Sequence, residues 1–385
     1  MKVYCINFQP VEEGKPTNSA VKRLFDMFRQ FSPEVYYFLT SYIGGYEGKN
    51  LLCMSPRQLR VYSIVESIAG KLRVPKHIKR TLLEKIVDYN LCKQLKKETE
   101  PFLLITTMYS VKCTSYAKKR GCKVLFWAAN LNDNLYYEVV KQEQKRLGLN
   151  YTDVYCSDYR INVFRKMLSN VDYVWCPNPL SAWSFKEKNT ILDPRLRKMP
   201  HVSHPKQYDG KIPERIKIGY FGHTTLLKGV HLLAEAAAKC HNKDNIEFVL
   251  AGSVDSRVRS LLDKSNVHFT YLGSIPESEK WSTIQSFDFM VVPSLYDAGP
   301  TTIVEAFTCD VPAIISTGCG GVDRVKNSEK CITFQTMNIE DLAEKLDYAY
   351  EHRSSYLHNS TLKEDEMESP ETTDYSYFTK IIEKL

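Results

Sequence analysis

The sequence of 385 residues contains no apolar run that approaches the roughly 18–20 residues needed to span a bilayer. Residues 1–10 predict a β-strand and not a signal peptide, so we expect a cytoplasmic protein. The eleven cysteines include no Cys-x-x-Cys pair, which indicates reduced, mostly buried thiols. Internal repeats are lacking, and the only biased tract is an acid-rich stretch over residues 361–374.

Charge is distributed unevenly along the chain. Through Lys206 there are 34 Lys and Arg against 18 Asp and Glu, whereas the remainder has 18 against 27. A basic first half predicts an anionic partner there, such as a phospholipid surface, a phosphorylated acceptor or nucleic acid. A solvated surface that aids solubility is the alternative. Residues 57–97 are the most basic segment, with eleven Lys and Arg against three acids, and their pattern is helical.

The second half alternates apolar runs with amphipathic stretches, which predicts βα units around a parallel sheet. The predicted strands are residues 216–221, 246–252, 267–273, 287–294, 312–316 and 331–334. The predicted helices are residues 228–240, 256–264, 277–285, 301–309 and 339–352. The first half is similar but less regular, with strands at residues 2–8, 35–41, 102–107, 122–129 and 172–176. Both halves therefore predict a doubly wound α/β fold.

Residues 206–214, which contain Gly210 and Pro213 and directly follow Pro205, predict a linker between two domains. The first domain is expected over residues 1–207, completed by a terminal amphipathic helix at 375–385. The second is expected over residues 213–358.

In the first domain a polar loop ends near Asn18 at a predicted helix start, where backbone N–H groups can face a ligand.

One segment of the second half combines a strand end, a Gly-Pro turn and a helix start. It runs Asp297-Ala-Gly299-Pro300-Thr301-Thr302-Ile-Val-Glu305. The N–H groups at such a helix start suit a phosphate. Carboxylates on either side can accept hydrogen bonds from sugar hydroxyls. A capped helix with two structural acids is the alternative for this motif taken alone.

Two further loops follow predicted strands. The first runs from Gly222 and His223 to Lys228, whose ammonium can neutralise a diphosphate. The second is Gly318-Cys-Gly320-Gly-Val-Asp323, where glycines permit a close backbone approach to a ligand. Because loops at the carboxyl ends of parallel strands meet in one crevice, we expect all three loops to form one site.

In their order and spacing these motifs resemble the C-terminal domain of retaining GT-B glycosyltransferases of family 4, over about residues 215–352. The matching motifs are Leu227-Lys-Gly, Leu250-Ala-Gly, Leu272-Gly, Asp297-x7-Glu305-Ala, Val311-Pro and Gly320-Gly-Val-Asp. The resemblance implies a GT-B fold, with two Rossmann-like domains facing a cleft. It also implies transfer of a hexosyl group from a nucleotide-diphosphate sugar of the UDP or GDP type, with retention of the anomeric configuration.

The resemblance also assigns roles to individual residues. Lys228 would hold the diphosphate, Asp297 the donor-sugar hydroxyls and Glu305 the ribose. Donor binding would further involve Gly222, His223, Gly299, Pro300, Thr301 and Thr302. No metal or other cofactor is implied, and the chain lacks a convincing Asp-x-Asp motif.

The sequence departs from the family pattern at three places. Asp297 stands where the family normally has Glu, and His223 stands where an Arg usually precedes the lysine. The acceptor domain lacks the family's usual histidine, which leaves Asn130 or Asp133 as stand-ins.

The expected acceptor is a glycan or a lipid-linked molecule used in cell-surface polysaccharide or glycoconjugate synthesis, with peripheral contact to an anionic membrane through residues 57–97. The alternative is a non-catalytic, glycosyltransferase-like subunit that binds nucleotide or glycan. A nucleic-acid binder follows from charge alone, and no recognisable module supports it.

Overall fold

A computed structural model describes residues 2–8, 11–12, 35–43, 51–193 and 204–357 of the chain. These residues form two compact units, each built on its own parallel sheet. The first unit extends to Cys176 and includes Ala182–Leu192; the second comprises Pro177–Ser181 and the described residues from Asp193 onward. The predicted domain boundaries stay predictions, and Asn18 and the helix expected at 375–385 lie outside the described residues.

Seven parallel strands form the first sheet, in the order β5-β3-β1-β6-β7-β8-β9. They are β1 (Lys2–Ile6), β3 (Val35–Leu39), β5 (Leu51–Cys53), β6 (Phe102–Thr106), β7 (Lys123–Trp127), β8 (Tyr173–Cys176) and β9 (Asn189–Leu192), while β2 (Val11–Glu12) pairs separately with β4 (Tyr42–Ile43). The sequence prediction missed β5 and β9, because both are short edge strands without a fully buried side chain.

The helices of the first unit cover its sheet. They are α1 (Pro56–Lys71), α2 (Lys76–Leu95), α3 (Val111–Lys119), α4 (Asp133–Arg146) and α5 (Asp158–Leu168), and the short α6 (Pro179–Ser184) follows. The basic segment 57–97 is therefore helical, as predicted, with a break between α1 and α2. Arg73 lies in that break with a positive φ of 51°, and Pro75 precedes α2.

The second sheet has six parallel strands in the order β12-β11-β10-β13-β14-β15. They are β10 (Ile216–Phe221), β11 (Ile246–Ala251), β12 (Phe269–Gly273), β13 (Phe289–Val292), β14 (Ala313–Ser316) and β15 (Cys331–Phe334). The α-helices are α7 (Val230–Lys239), α8 (Ser256–Leu262), α9 (Lys280–Gln285), α10 (Thr301–Thr308), α11 (Val322–Val325), α12 (Ile339–Glu351) and α13 (Arg353–Tyr356). The predicted strands and helices of this half are confirmed to within a few residues.

Helices cover both faces of the second sheet, which explains why its strands are apolar without interruption. In β11, Phe248 and Leu250 join one core cluster, whereas Val249 and Ala251 join the cluster on the opposite face. Successive side chains of a strand point to opposite faces, so both sets are buried at once. The continuous apolar runs of the sequence follow from this arrangement.

Both sheets reverse their strand order beside the first strand of the unit. In the second sheet the reversal lies between β10 and β13, which pair in parallel through Ile218 and Gly219. In an open α/β sheet the loops that leave the carboxyl ends of the strands at such a reversal form a crevice where ligands bind. Among the helices of the described residues, none has the length and apolarity that a membrane span requires.

Candidate functional site

The candidate site lies at the carboxyl ends of β10, β13 and β14, where the sequence predicted that three loops converge. The loop after β10 ends in a 3-10 turn, Leu226–Lys228. The loop after β13 is fastened to it, since Leu295 N–H donates to the carbonyl of Leu227 at 3.0 Å. Gly318, after β14, accepts a hydrogen bond from Asp297 N–H at 3.0 Å. Backbone hydrogen bonds therefore hold the three loops together.

Lys228 and Asp297 form an ion pair between Nζ and Oδ2. The side chain of Lys228 keeps 36% of its surface exposed, so its ammonium is accessible to an anion from solvent. Gly229 follows with a φ of 71°, and a Cβ at this position would lie 1.9 Å from the carbonyl oxygen of Pro293. Only glycine fits this left-handed turn, which sets Lys228 at the start of α7.

The carboxylate of Asp297 is oriented by its own loop. Its Oδ1 accepts a hydrogen bond from Gly299 N–H at 3.0 Å, while its Oδ2 faces Lys228. Its backbone carbonyl accepts from Gly320 N–H at 2.7 Å. The Asp297 carboxylate is thus held by one contact within its own loop and one contact with the loop after β10.

Fewer backbone N–H groups are available to an anion at the start of α10 than the sequence predicted. The N–H of Gly299 is already used by Asp297, and Pro300, the N-cap residue, has no N–H. No side chain of the described residues caps this helix. Thr301 is exposed and Thr302 is half-buried. Their N–H groups are the ones that an anion can reach, at the positive end of the helix dipole.

Glu305 makes a contact that sequence reasoning missed. Its Oε1 lies 2.9 Å from Nζ of Lys280, at the first residue of α9, and both side chains are largely buried. Glu277 lies 3.4 Å from the same Nζ. Burial lowers the pKa of Lys280, but the hydrogen bond and the charges of Glu305 and Glu277 outweigh burial and raise it. Lys280 is therefore a cation at neutral pH and compensates the charge of Glu305.

Asn178 is a second residue that the sequence did not indicate. Its Nδ2 donates to the carbonyl of Ala298, and its Oδ1 accepts from Ser181 N–H at 2.9 Å. A Cβ on Gly320 would lie 2.1 Å from the same Ala298 carbonyl oxygen and 2.5 Å from Asn178 Nδ2. Position 320 therefore requires glycine, because the chain there packs closely against the loop that carries Asp297.

His223 is turned toward the loop after β11. Its Nδ1 lies 2.7 Å from Oγ of Ser253 and 3.1 Å from the Ser253 carbonyl oxygen. Gly222, just before it, donates its N–H to the Ala251 carbonyl at 2.8 Å. His223 is exposed and is part of the same group of loops.

The acceptor-side candidates differ in their surroundings. Asn130 follows β7 and is exposed. Asp133 is only 5% exposed and pairs with Arg160 through Oδ2 at 2.9 Å. The hydroxyl of Tyr109 donates to the same carboxylate oxygen. Asp133 is therefore part of a buried ion pair, and Asn130 is the one of the two that solvent reaches.

Within the described ranges no three His, Cys, Asp or Glu side chains come together as a metal site would require.

The second half of the chain is similar to known proteins. Residues 206–362 match the family model of glycosyl transferases group 1. An N,N'-diacetylbacillosaminyl-diphospho-undecaprenol α-1,3-N-acetylgalactosaminyltransferase from Campylobacter jejuni is 31% identical over 123 residues, which are 31% of each chain. The GPI3 subunit of phosphatidylinositol N-acetylglucosaminyltransferase from Saccharomyces cerevisiae is 26% identical over 192 residues. This alignment covers 46% of the present chain and 42% of the yeast protein. The matches thus span less than half of the length of these relatives.

Solved structures resemble the chain over its whole length. The crystal structure of HepE from Anabaena in complex with UDP has a TM-score of 0.56 at 13% sequence identity, and the alignment covers 100% of both chains. The fold is therefore the GT-B fold of glycosyltransferases, with two Rossmann-like units, and the fold-class prediction is confirmed. The resemblance to group 1 glycosyltransferases that the motifs indicated is likewise confirmed.

Proposed function

We propose that the protein is a retaining glycosyltransferase that moves a hexosyl group from a nucleotide-diphosphate sugar, of the UDP or GDP type, to a glycan or lipid-linked acceptor. The observation that carries the proposal is the accessible Lys228–Asp297 pair at the strand-order reversal of the second sheet, in the loops that also hold the uncapped start of α10. The match to group 1 glycosyltransferases over residues 206–362 supports it. The undecaprenyl diphosphate named for the Campylobacter relative supports a lipid-linked acceptor, as in cell-surface polysaccharide or glycoconjugate synthesis.

The donor would be held by charge and hydrogen bonding. Its diphosphate competes with Asp297 for Lys228 and accepts hydrogen bonds from the N–H groups of Thr301 and Thr302. Released from the ammonium, the Asp297 carboxylate can accept hydrogen bonds from hydroxyls of the donor sugar. Glu305, paired with Lys280, accepts hydrogen bonds from the ribose hydroxyls.

Transfer would depend on stabilising the leaving group. As the bond between the anomeric carbon and the phosphate oxygen breaks, negative charge grows on the diphosphate, next to Lys228 and the helix start. These groups supply the positive charge, so we propose transfer that needs no metal ion. The acceptor hydroxyl attacks from the face that the diphosphate leaves, and its proton passes to a phosphate oxygen. The configuration at the anomeric carbon is retained.

We place the enzyme in the cytoplasm, peripherally at the inner face of the membrane, where a lipid-linked acceptor is accessible. The basic residues 57–97 support contact with anionic lipid, since Lys and Arg near such a surface are attracted to it.

The proposal is tested by thermal stabilisation with UDP, GDP, ADP, CMP and their common sugar conjugates. Because a ligand that binds only the folded state raises the melting temperature, one nucleoside diphosphate should stabilise the wild type and not Glu305→Ala. Glu344→Ala, an exposed glutamate on α12, is the matched control and should respond like the wild type. With the donor found, NMR of the product's anomeric proton should show retention. Equal responses of all three proteins would refute the assignment of Glu305.

The second candidate is a non-catalytic, nucleotide- or glycan-binding subunit. The observation that favours it is His223, which replaces a fixed arginine charge with an imidazole hydrogen-bonded to Ser253. A non-catalytic subunit should be stabilised by a nucleotide, but it should neither hydrolyse nor transfer the sugar of any conjugate in the panel.

A further inference from the structure

Helix α1 (Pro56–Lys71) has two apolar faces, although it contacts the core with only one. Leu59 and Tyr62 pack against the core of the first unit, and Ala69 is buried. One apolar face is sufficient to fix a surface helix on a domain. The second apolar face needs a separate explanation.

The second face carries four large aliphatic side chains that are open to solvent. Val61, Ile64 and Ile68 are 54%, 49% and 51% exposed, and Leu72, just after the helix, is 72% exposed. Their spacing of three and four residues places them in one stripe along the helix. Isolated exposed aliphatic residues are ordinary on a protein surface, whereas a contiguous stripe indicates an interaction surface.

Positive charge lies on the same side as the stripe. At 3.6 residues per turn, Arg57, Arg60 and Lys71 fall with the four aliphatic residues in an arc of about 120°, and all three are exposed. The one acid of the helix, Glu66, projects from the opposite side and pairs with Lys79 at 3.1 Å. We define the outer face of α1 as these seven residues. It combines apolar and cationic side chains and contains no acid.

We infer that the outer face of α1 docks in the plane of an anionic membrane, with its aliphatic side chains inserted at the boundary of headgroups and acyl chains. Such a helix matches the pattern of interfacial helices, in which apolar residues enter the bilayer and flanking cations contact anionic headgroups. Charge decides between this partner and a second copy of the chain. Two outer faces pressed together would bring like charges into contact, whereas anionic lipid pairs with each of them.

This inference rests on the membrane association proposed above, but its test needs no donor and no transfer. The experiment measures co-sedimentation of the full chain with vesicles of phosphatidylcholine alone and of phosphatidylcholine with phosphatidylglycerol, at 0.1 M and 0.5 M NaCl. The wild type should bind the anionic vesicles, and higher salt should weaken binding because screening reduces the attraction.

The decisive variant is Ile64→Ser/Ile68→Ser. It removes about half of the stripe without changing charge and should weaken binding to anionic vesicles about tenfold or more. The matched control is Ile212→Ser/Leu272→Ser, which removes two aliphatic side chains of similar exposure, 52% and 46%, from the second unit. It should bind vesicles like the wild type. Both variants should keep the wild-type melting temperature, since none of the four side chains is buried.

Four results would overturn the inference. They are failure of the wild type to bind anionic vesicles, wild-type affinity in Ile64→Ser/Ile68→Ser, an equal loss in the control variant, and a wild-type dimer that this variant disperses. A fifth result, a melting temperature of Ile64→Ser/Ile68→Ser that is lowered in the absence of vesicles, would show that another part of the chain covers the stripe and would also overturn the inference. Stabilisation by nucleotide reports the donor site separately, so failure of either proposal leaves the other readout intact.

Discussion

Two lysines hold the two carboxylates of the candidate site, and their surroundings differ. Lys228 is over a third exposed and can exchange Asp297 for a diphosphate. Lys280 is 17% exposed and lies between Glu305, Glu277 and the ring of Trp281, whose centroid is 4.6 Å from Nζ. An ion pair with one partly exposed partner is exchanged more easily than a pair in which both partners are largely buried. The first pair is thus suited to binding a ligand, and the second to holding a carboxylate in place.

The Asp297→Asn variant separates sugar recognition from diphosphate binding. The amide oxygen can still accept from Gly299 N–H, but the side chain no longer competes as an anion with the diphosphate for Lys228. We expect kcat/KM for transfer to fall about tenfold or more, while stabilisation by the free nucleoside diphosphate is unchanged or larger. Asp263→Asn, at an exposed pair with Arg259, is the control. Loss of nucleotide stabilisation in Asp297→Asn would contradict this division of roles.

The Lys280→Met variant tests whether Lys280 positions Glu305. Without the ammonium the carboxylate loses its partner at 2.9 Å. We expect KM for the donor to rise about five- to tenfold, the usual effect of losing one charge-assisted hydrogen bond, with kcat nearly unchanged. Lys280→Arg should restore most of the affinity because it keeps the charge. If kcat falls and KM does not change, Lys280 acts on the transferred group and not on the ribose.

At the scale of elements, the turn after α7 is fixed by a single carboxylate from α12. Asp347 accepts hydrogen bonds from Cys240 Sγ at 3.0 Å, His241 N–H at 3.1 Å and Asn242 N–H at 2.8 Å. Burial alone would raise the pKa of Asp347, but these hydrogen bonds outweigh it and hold the pKa well below its usual range. One side chain thus joins the end of one helix to the face of another.

Asp347→Asn should therefore lower stability in a pH-dependent way. The folded pKa lies below that of the unfolded chain, so the contribution is present above the unfolded value of about 3.9 and is lost as pH falls toward the folded value. We expect a loss of about 1–3 kcal/mol near neutral pH and a smaller difference below about pH 4. The measurement is the melting temperature of the transition that nucleotide shifts, with Asp263→Asn as control. A difference that grows on acidification would refute the assigned role of Asp347.

At the scale of the whole molecule, the two units have separate cores, and their charges differ in sign. The basic half of the sequence builds the first sheet with α1 and α2, and the acidic half builds the second sheet with the candidate donor site. The basic helices and the loops proposed to bind the anionic donor therefore belong to different units. Binding of lipid and binding of nucleotide should be separable by experiment.

Hydrogen exchange with and without the stabilising nucleoside diphosphate tests this separation. We expect protection in the loops that contain Lys228, Thr301 and Gly320, since bound phosphate accepts from or covers their N–H groups. The amides of α1 should exchange at the same rate in both conditions. With anionic vesicles in place of the nucleotide, the amides of α1 should be protected and those of the three loops should exchange at an unchanged rate. Protection of α1 by nucleotide alone would contradict the separation.

The elements of the second half and the loops of its site could be predicted because their signals are local. Uninterrupted apolar runs indicate strands that are buried on both faces, and a Gly-Pro turn before two threonines indicates a helix start. Asn178–Ala298, Lys280–Glu305 and Asp133–Arg160 could not be predicted in this way. These pairs are separated by 120, 25 and 27 positions, and strand order and the course of the loops bring them together.

By itself the sequence determined the α/β class, the positions of Lys228, Asp297 and Glu305 at strand ends and helix starts, and the basic character of the first half. Only the tertiary structure decided which carboxylate pairs with which lysine, that Asp133 is buried, and which face of α1 is left open to solvent. The physical reason is that periodicity and turn chemistry act over a few residues, whereas burial and ion pairing depend on neighbours supplied by distant strands and helices.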